Sequence, residues 1–154
     1  MRLIIDGDAC PVKDIVQRAA MRLDIPLLLI SNSRMGFGKA PGVTPIIVEG
    51  GPDKADQWIV ENYQTGDLVI TADIPLAAQI VTKGGLALGH RGEIFDASTV
   101  GERMSLLAFH RSLRDEGMNI GGPKPFGVKD RTQFANGLER LIRLIQKQTK
   151  ASES

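Results

Sequence analysis

A single cysteine, Cys10, and two histidines, His90 and His110, stand in a chain of 154 residues. One thiol excludes an internal disulfide framework and any multi-cysteine zinc knuckle, and two imidazoles argue against the usual zinc sites. Carboxylates binding a hard cation remain open. Long hydrophobic runs are also lacking, none approaching the roughly 18 residues needed to cross a bilayer. The amino terminus has no basic n-region followed by an apolar h-region, because its aliphatic residues run straight into acids. A cytoplasmic protein is the expectation. There are no internal repeats or low-complexity segments, so one domain is expected over 1–150, with 151–154 as a frayed, disordered tail.

The composition, 42% hydrophobic and 24% charged, is that of one soluble domain with a full core. The net charge of +1 conceals an asymmetry: residues 1–100 carry 9 Lys/Arg against 12 Asp/Glu, whereas 101–150 carry 10 against 5. A basic segment beside an acidic core suggests a polyanionic partner; a solvated pair of helices is the plainer explanation.

The chain is organised around Leu3-Ile4-Ile5-Asp6-Gly7-Asp8, an apolar strand that ends in two acids. A strand hydrophobic on both faces suits the centre of a parallel sheet covered by helices on each side, and ligands bind beyond the carboxyl ends of such strands. Pro11 opens a helix through Val12, Val16, Ala19 and Leu23, and Leu27–Ile30 forms the second strand of a right-handed crossover unit. The glycine-rich stretch Gly36–Gly42 lacks the spacing of a phosphate-cradling loop and is expected to be a mobile connection. Ile46–Val48 after Pro45 predicts a short edge strand, Asp53 to Tyr63 a helix, Leu68–Thr71 a strand, Pro75–Val81 a helix and Leu86–Leu88 a weaker strand. Beyond Gly92 the pattern becomes helical, over Glu102–Glu116 and Asp130–Lys147. The fold class expected is α/β, a parallel sheet with helices on both faces, plus carboxyl-terminal helices.

Several acids stand where acids are awkward. Asp6 ends a buried strand, and Asp73 follows another and precedes a helix it can cap. Asp8 lies in the turn before the first helix, where Asp is at home. Asp56 is more telling: at 100° per residue, Ile59, Val60 and Tyr63 lie within about 60° of it, so its carboxylate projects from the apolar face of its helix. Either a buried base or a bound cation must receive it. If the first and fourth strands are neighbours, Asp6, Asp56 and Asp73 converge, and a hard divalent cation is the usual remedy for their repulsion. Thr71 and Ser31 offer hydroxyls near the same edge, while Cys10 is expected to be a packing residue.

Four separated motifs carry a resemblance: Leu3-Ile4-Ile5-Asp6-Gly7-Asp8-Ala9-Cys10-Pro11, Gly51-Pro52-Asp53-Lys54-Ala55-Asp56-Gln57-Trp58-Ile59, Thr71-Ala72-Asp73-Ile74-Pro75-Leu76-Ala77 and Gly121-Gly122-Pro123-Lys124-Pro125-Phe126. In this order they resemble the YaiI/YqxD family of uncharacterised bacterial proteins over nearly the whole chain. That family is in turn distantly similar to PIN-like nucleases over about the first 90 residues. The looser resemblance implies a sheet ordered 3-2-1-4-5, with acids after strand one, on a helix and after strand four. Those are Asp6, Asp56 and Asp73, with Asp8 as an additional metal-site acid. A further acid of the PIN-like pattern has no clear match here, Asp96 being the nearer candidate and Asp67 the lesser.

Three functions follow as expectations. The first is a metal-dependent nuclease or phosphodiesterase in which the carboxylates hold Mg²⁺ or Mn²⁺, with Arg111, Arg114, Lys124 and Arg131 gripping the backbone of a nucleic acid. RNA is favoured only through the looser resemblance. The second is a haloacid-dehalogenase-type phosphatase with Asp6 as nucleophile, Asp8 as acid/base and Ser31 on the phosphate, a scheme that leaves Asp56 idle. The third is a non-catalytic RNA- or protein-binding module on a degenerate nuclease scaffold.

Overall fold

The computed structural model describes residues 1–7, 10–32, 41–118, 121–122 and 124–153. Asp8 and most of the glycine-rich stretch Gly36–Gly42 lie outside them. The elements follow as β1 (Leu3–Asp6), α1 (Lys13–Leu23), β2 (Leu27–Ser31), β3 (Val43–Ile47), α2 (Pro52–Asn62), β4 (Leu68–Ile70), α3 (Ile74–Thr82), β5 (Leu86–Leu88), β6 (Ile94–Phe95), α4 (Val100–Asp115) and α5 (Val128–Glu153).

The sheet order is β3-β2-β1-β4-β5-β6, parallel except for β6. The expected 3-2-1-4-5 order is therefore present, and β6 extends it. This strand has only two residues, too few to leave a periodic signal, and it returns antiparallel through a tight turn in which the amide of Gly89 donates to Glu93 O at 2.8 Å. Gly92 in that turn has φ of 89°, and a Cβ there would meet Gln133 O of α5 at 2.8 Å, so glycine is required twice over.

Strand alternation divides the core. Leu3 and Ile5, with Leu27, Leu29, Leu68, Ile70 and Leu88, face one layer, built by α1 and by Phe134, Leu138, Leu141, Ile142 and Ile145 of α5. Ile4, Leu28, Ile30, Val69 and Ala87 face the other, built by Ala55 and Ile59 of α2 and by Leu76, Ala77 and Ile80 of α3. Both faces of the sheet are thus covered, which is why the central strands are apolar without alternation.

Some boundaries move. β3 begins at Val43, before Pro45, and its edge position tolerates a proline that a central strand would not. α5 runs on past Lys147 through Glu153, into the stretch expected to fray. α4 packs on α3 but has no buried residue, leaving Met104, Leu106 and Phe109 exposed. At the amino edge of the sheet, Arg2 clamps the buried Asp67 through Nη2–Oδ2 at 2.6 Å and Nε–Oδ1 at 3.1 Å, joining the entries of β1 and β4. No helix among the described residues is long and apolar enough to cross a membrane.

Candidate active site

β1 and β4 are adjacent, so their carboxyl ends open at one point. Alternation puts Asp6 on the side of Ile4, and Thr71 on the side of Val69, which is the α2/α3 side of the sheet. The two side chains meet there: Thr71 Oγ1 donates to Asp6 Oδ2 at 2.7 Å. The same hydroxyl accepts the amide of Asp73 at 2.9 Å, and Thr71 is fully buried. One hydroxyl therefore positions the acid of β1 while fixing the backbone of the acid after β4.

Asp73 is the N-cap of α3, with Oδ1 accepting the amide of Leu76 at 3.0 Å. Capping and site membership are not alternatives here. The carboxylate satisfies one orphan donor of the helix and still faces Asp56.

Asp56 comes from α2, between Ala55 and Ile59, both buried against the sheet. Its carboxyl pKa is pushed up to about 6, first by burial, then by the negative charges of Asp6 and Asp73, and by a hydrogen bond with Asp73. The charges that act most on Asp56 are those of other acids, Asp6, Asp73 and Asp53. Asp6, Asp56 and Asp73 lie on the same side of the sheet's carboxyl edge, near enough for Asp6 and Asp73 to act on Asp56.

The cluster is an open one. Among the described residues, no three or more His, Cys, Asp or Glu side chains are placed so that they could together hold a metal ion. Asp6 is engaged with Thr71, and Asp73 with the start of α3. The donor set consists of carboxylate and hydroxyl oxygens, the chemistry of Mg²⁺ or Mn²⁺, and mutual repulsion of the acids is what such an ion relieves.

Other candidates fall elsewhere. Asp67 lies at the opposite end of β4 and is neutralised by Arg2. Asp96 follows the antiparallel β6, which carries it toward that same amino edge, and its carboxylate accepts Ser98 N, Ser98 Oγ and Thr99 N in the turn before α4. Neither supplies the further acid. Ser31 follows Ile30 by one residue, so alternation directs it to the face opposite Asp6. Cys10 belongs to the core on the α1/α5 side, and burial pushes its thiol up to about 11, as befits a packing residue.

The four basic residues divide as well. Arg111 and Arg114 are exposed on α4 and form no ion pair among the described residues, and the Lys124 side chain is also exposed. Arg131 instead binds Asp14 of α1, which holds the Asp14 carboxyl below the usual carboxylate range. Sequence reasoning passed over Arg91, whose Nη1 donates to Asp130 Oδ2 at 3.0 Å while its guanidinium lies 5.4 Å from the centre of the Phe126 ring. The one signal for it was its place in the Gly89–Gly92 turn beyond β5.

A family model described as "Uncharacterized BCR, YaiI/YqxD family" matches residues 4–144. A UPF0178 protein of Trichlorobacter lovleyi is 44% identical over 152 residues, covering 97% of this chain and 99% of its own. Relatives of the same description from a Geobacter species and from Citrifermentans bemidjiense are 48% and 47% identical over 144 residues, each covering 92% of this chain and 94% of the relative. No solved structure matches the chain. With one model spanning nearly its whole length and relatives close to half identical, the chain belongs to the YaiI/YqxD family.

Proposed function

We propose that this protein is a divalent-metal-dependent nuclease or phosphodiesterase acting on nucleic acid in the cytoplasm, with RNA as the substrate favoured. The observation that carries the proposal is the meeting of carboxylates from β1, α2 and the start of α3 at the carboxyl edge of a parallel sheet, around an Asp56 surrounded by acids. A purely structural arrangement would have given Asp56 a base, as Asp67 has Arg2. Mg²⁺ or Mn²⁺ bound at such a site lowers the pKa of a water and offsets charge developing on phosphate oxygens.

The residues' own tasks follow from their partners. Asp56 would hold the cation together with Asp6 and Asp73, and the cation's charge would offset the repulsion that raises its pKa. Thr71 holds Asp6 in orientation, and the α3 amide of Leu76 holds Asp73, so neither carboxylate must be ordered when substrate binds. The phosphatase scheme is disfavoured because alternation puts Ser31 and Asp6 on opposite faces of the sheet.

The test is cleavage of a labelled single-stranded RNA in Mn²⁺ and in EDTA, with Asp6→Asn prepared in parallel to expose contaminating nuclease. Mn²⁺-dependent products from the wild type alone support the proposal. RNA binding with no turnover in any divalent ion replaces it with the non-catalytic module.

A further inference from the structure

The turn beyond β5 opens into a second feature at the carboxyl edge that holds the acids. A cleft of about 720 Å³ is walled by Arg91 and Glu93 of this turn, Arg103 of α4, and Lys124, Lys129 and Asp130 at the approach to α5. Four cations face two carboxylates. Both acids are already engaged: Glu93 accepts the amide of Arg91 at 2.9 Å, and Asp130 accepts Arg91 Nη1 and the amide of Gly127. Arg91 is a strut rather than a free donor, since it also donates to the carbonyl of Lys124 and lies over Phe126. It fixes the backbone that carries Lys124. Arg103, Lys124 and Lys129 are exposed and form no ion pair among the described residues.

β5 is the strand next to β4, and the amide of Thr71 donates to Leu88 O at 3.0 Å. The cleft therefore begins roughly two strand spacings, about 10 Å, from the end of β1. Along α4 the basic character continues, because Arg103, His110 and Arg114 fall within about 20° of one line on a helix of 3.6 residues per turn. Phe109, 58% exposed, stands about 120° round the helix from that line, and its ring centroid lies 6.2 Å from that of His110. A helix that leaves this aromatic pair in water together with exposed arginines offers bases a stacking surface and phosphates a charge track. Stacking of that kind requires unpaired bases.

We propose that this cleft and the adjoining stripe of α4 bind the sugar–phosphate backbone of a single-stranded nucleic acid, with Arg103, Lys124 and Lys129 contacting consecutive phosphates and Phe109 and His110 receiving a base. The inference rests on the nuclease or phosphodiesterase reading only for what happens to the strand afterwards. It replaces Arg131, committed to Asp14, with Arg103 and Lys129 as phosphate contacts.

Fluorescence anisotropy in EDTA tests it, using labelled RNA and DNA strands of about twelve nucleotides at about 50 and about 200 mM salt. The variant Arg103→Ala/Lys124→Ala/Lys129→Ala is compared with Arg140→Ala/Arg143→Ala/Lys147→Ala, which removes equal charge from a different cleft along α5. The expected result is at least tenfold weaker binding by the first variant at the lower salt, and a salt slope reduced by about 2, the value for three single-strand phosphate contacts. The second variant binds as the wild type does, and Phe109→Ala weakens binding without changing the slope. Comparable RNA and DNA affinities assign recognition to the phosphates and to base stacking; preference for RNA adds the 2′-hydroxyl. Equal losses in the two triple variants, an unchanged first variant, stronger binding of duplex, or no binding of either strand by the wild type each overturn the inference. EDTA keeps the two proposals separate: binding through the cleft without divalent-dependent cleavage sinks the enzymatic reading alone, whereas cleavage with an unaltered triple variant sinks the cleft alone.

Discussion

Thr71 donates its hydroxyl to Asp6 at 2.7 Å across the β4/β1 junction, and the same oxygen accepts the amide of Asp73 at 2.9 Å. A fully buried hydroxyl is thus the link between two of the three acids. Thr71→Val removes the donor and the acceptor while keeping the shape, and leaves the Asp73 amide and Asp6 each short of a partner. The expected loss is about 1–2 kcal/mol of stability, with Thr71→Ser recovering most of it, as read by urea denaturation. Equal stability of the valine variant and the wild type would show that water replaces both contacts.

The raised pKa of Asp56 gives the metal-free protein a pH dependence of known sign. With a folded value of about 6 against the ordinary 3.8, the native state holds its proton more tightly than the unfolded chain does. Its favourable contribution is fully present below pH 3.8 and is lost as pH rises through about 6. Asp56→Asn has no such proton to lose, so it is expected to melt above the wild type at pH 7 in EDTA and to show a flatter profile between about pH 4 and pH 6. A lower melting temperature for the variant at pH 7 would mean that the carboxylate is stabilised by a partner.

Divalent ions should act in the opposite sense. An ion that binds only the native state at about a hundredfold excess over its Kd adds about 2.7 kcal/mol, several degrees of melting temperature for a chain of this size. Mn²⁺ is expected to raise the melting temperature of the wild type and to raise that of Asp56→Asn much less. Differential scanning fluorimetry with Mn²⁺, Mg²⁺ and EDTA reads the effect, and a wild-type curve indifferent to millimolar ions would leave the carboxylates without the cation assigned to them.

Arg2 and Asp67 provide the structural counterpart. Asp67 is 2% exposed and its charge is answered by Arg2, so Arg2→Met strands a buried carboxylate and is expected to destabilise by about 3 kcal/mol. Because this pair lies at the amino edge of the sheet, strand binding per folded molecule should be unchanged. A loss of binding by natively folded Arg2→Met would place the pair in the functional surface.

What could be read from the sequence depended on how local each signal was. The apolar run into Asp6 and the helical phase of Asp56 are properties of short segments, and both acids stand where those patterns put them. Asp73 was ambiguous in sequence because N-capping explains it equally well, and it does cap α3. The bond from Thr71 to Asp6 spans 65 positions and needs β1 and β4 to be neighbours, which no local pattern states. β6 is below the length at which alternation can register. α4 misleads in another way, since Leu106 and Phe109 imply a buried face that the fold leaves in solvent. The sequence sets Arg131 among the cations expected to grip a nucleic-acid backbone; its partner Asp14 is 117 residues away.

The most direct measurement of the central claim is single-turnover cleavage of a single-stranded RNA in Mn²⁺ by wild type and by Asp56→Asn, each verified as folded by its melting curve. If Asp6, Asp56 and Asp73 act as one metal-dependent centre, the wild type cleaves and the variant, though at least as stable without metal, is slower by about a hundredfold or more. Equal rates in the two proteins, or cleavage that persists in EDTA, would contradict it.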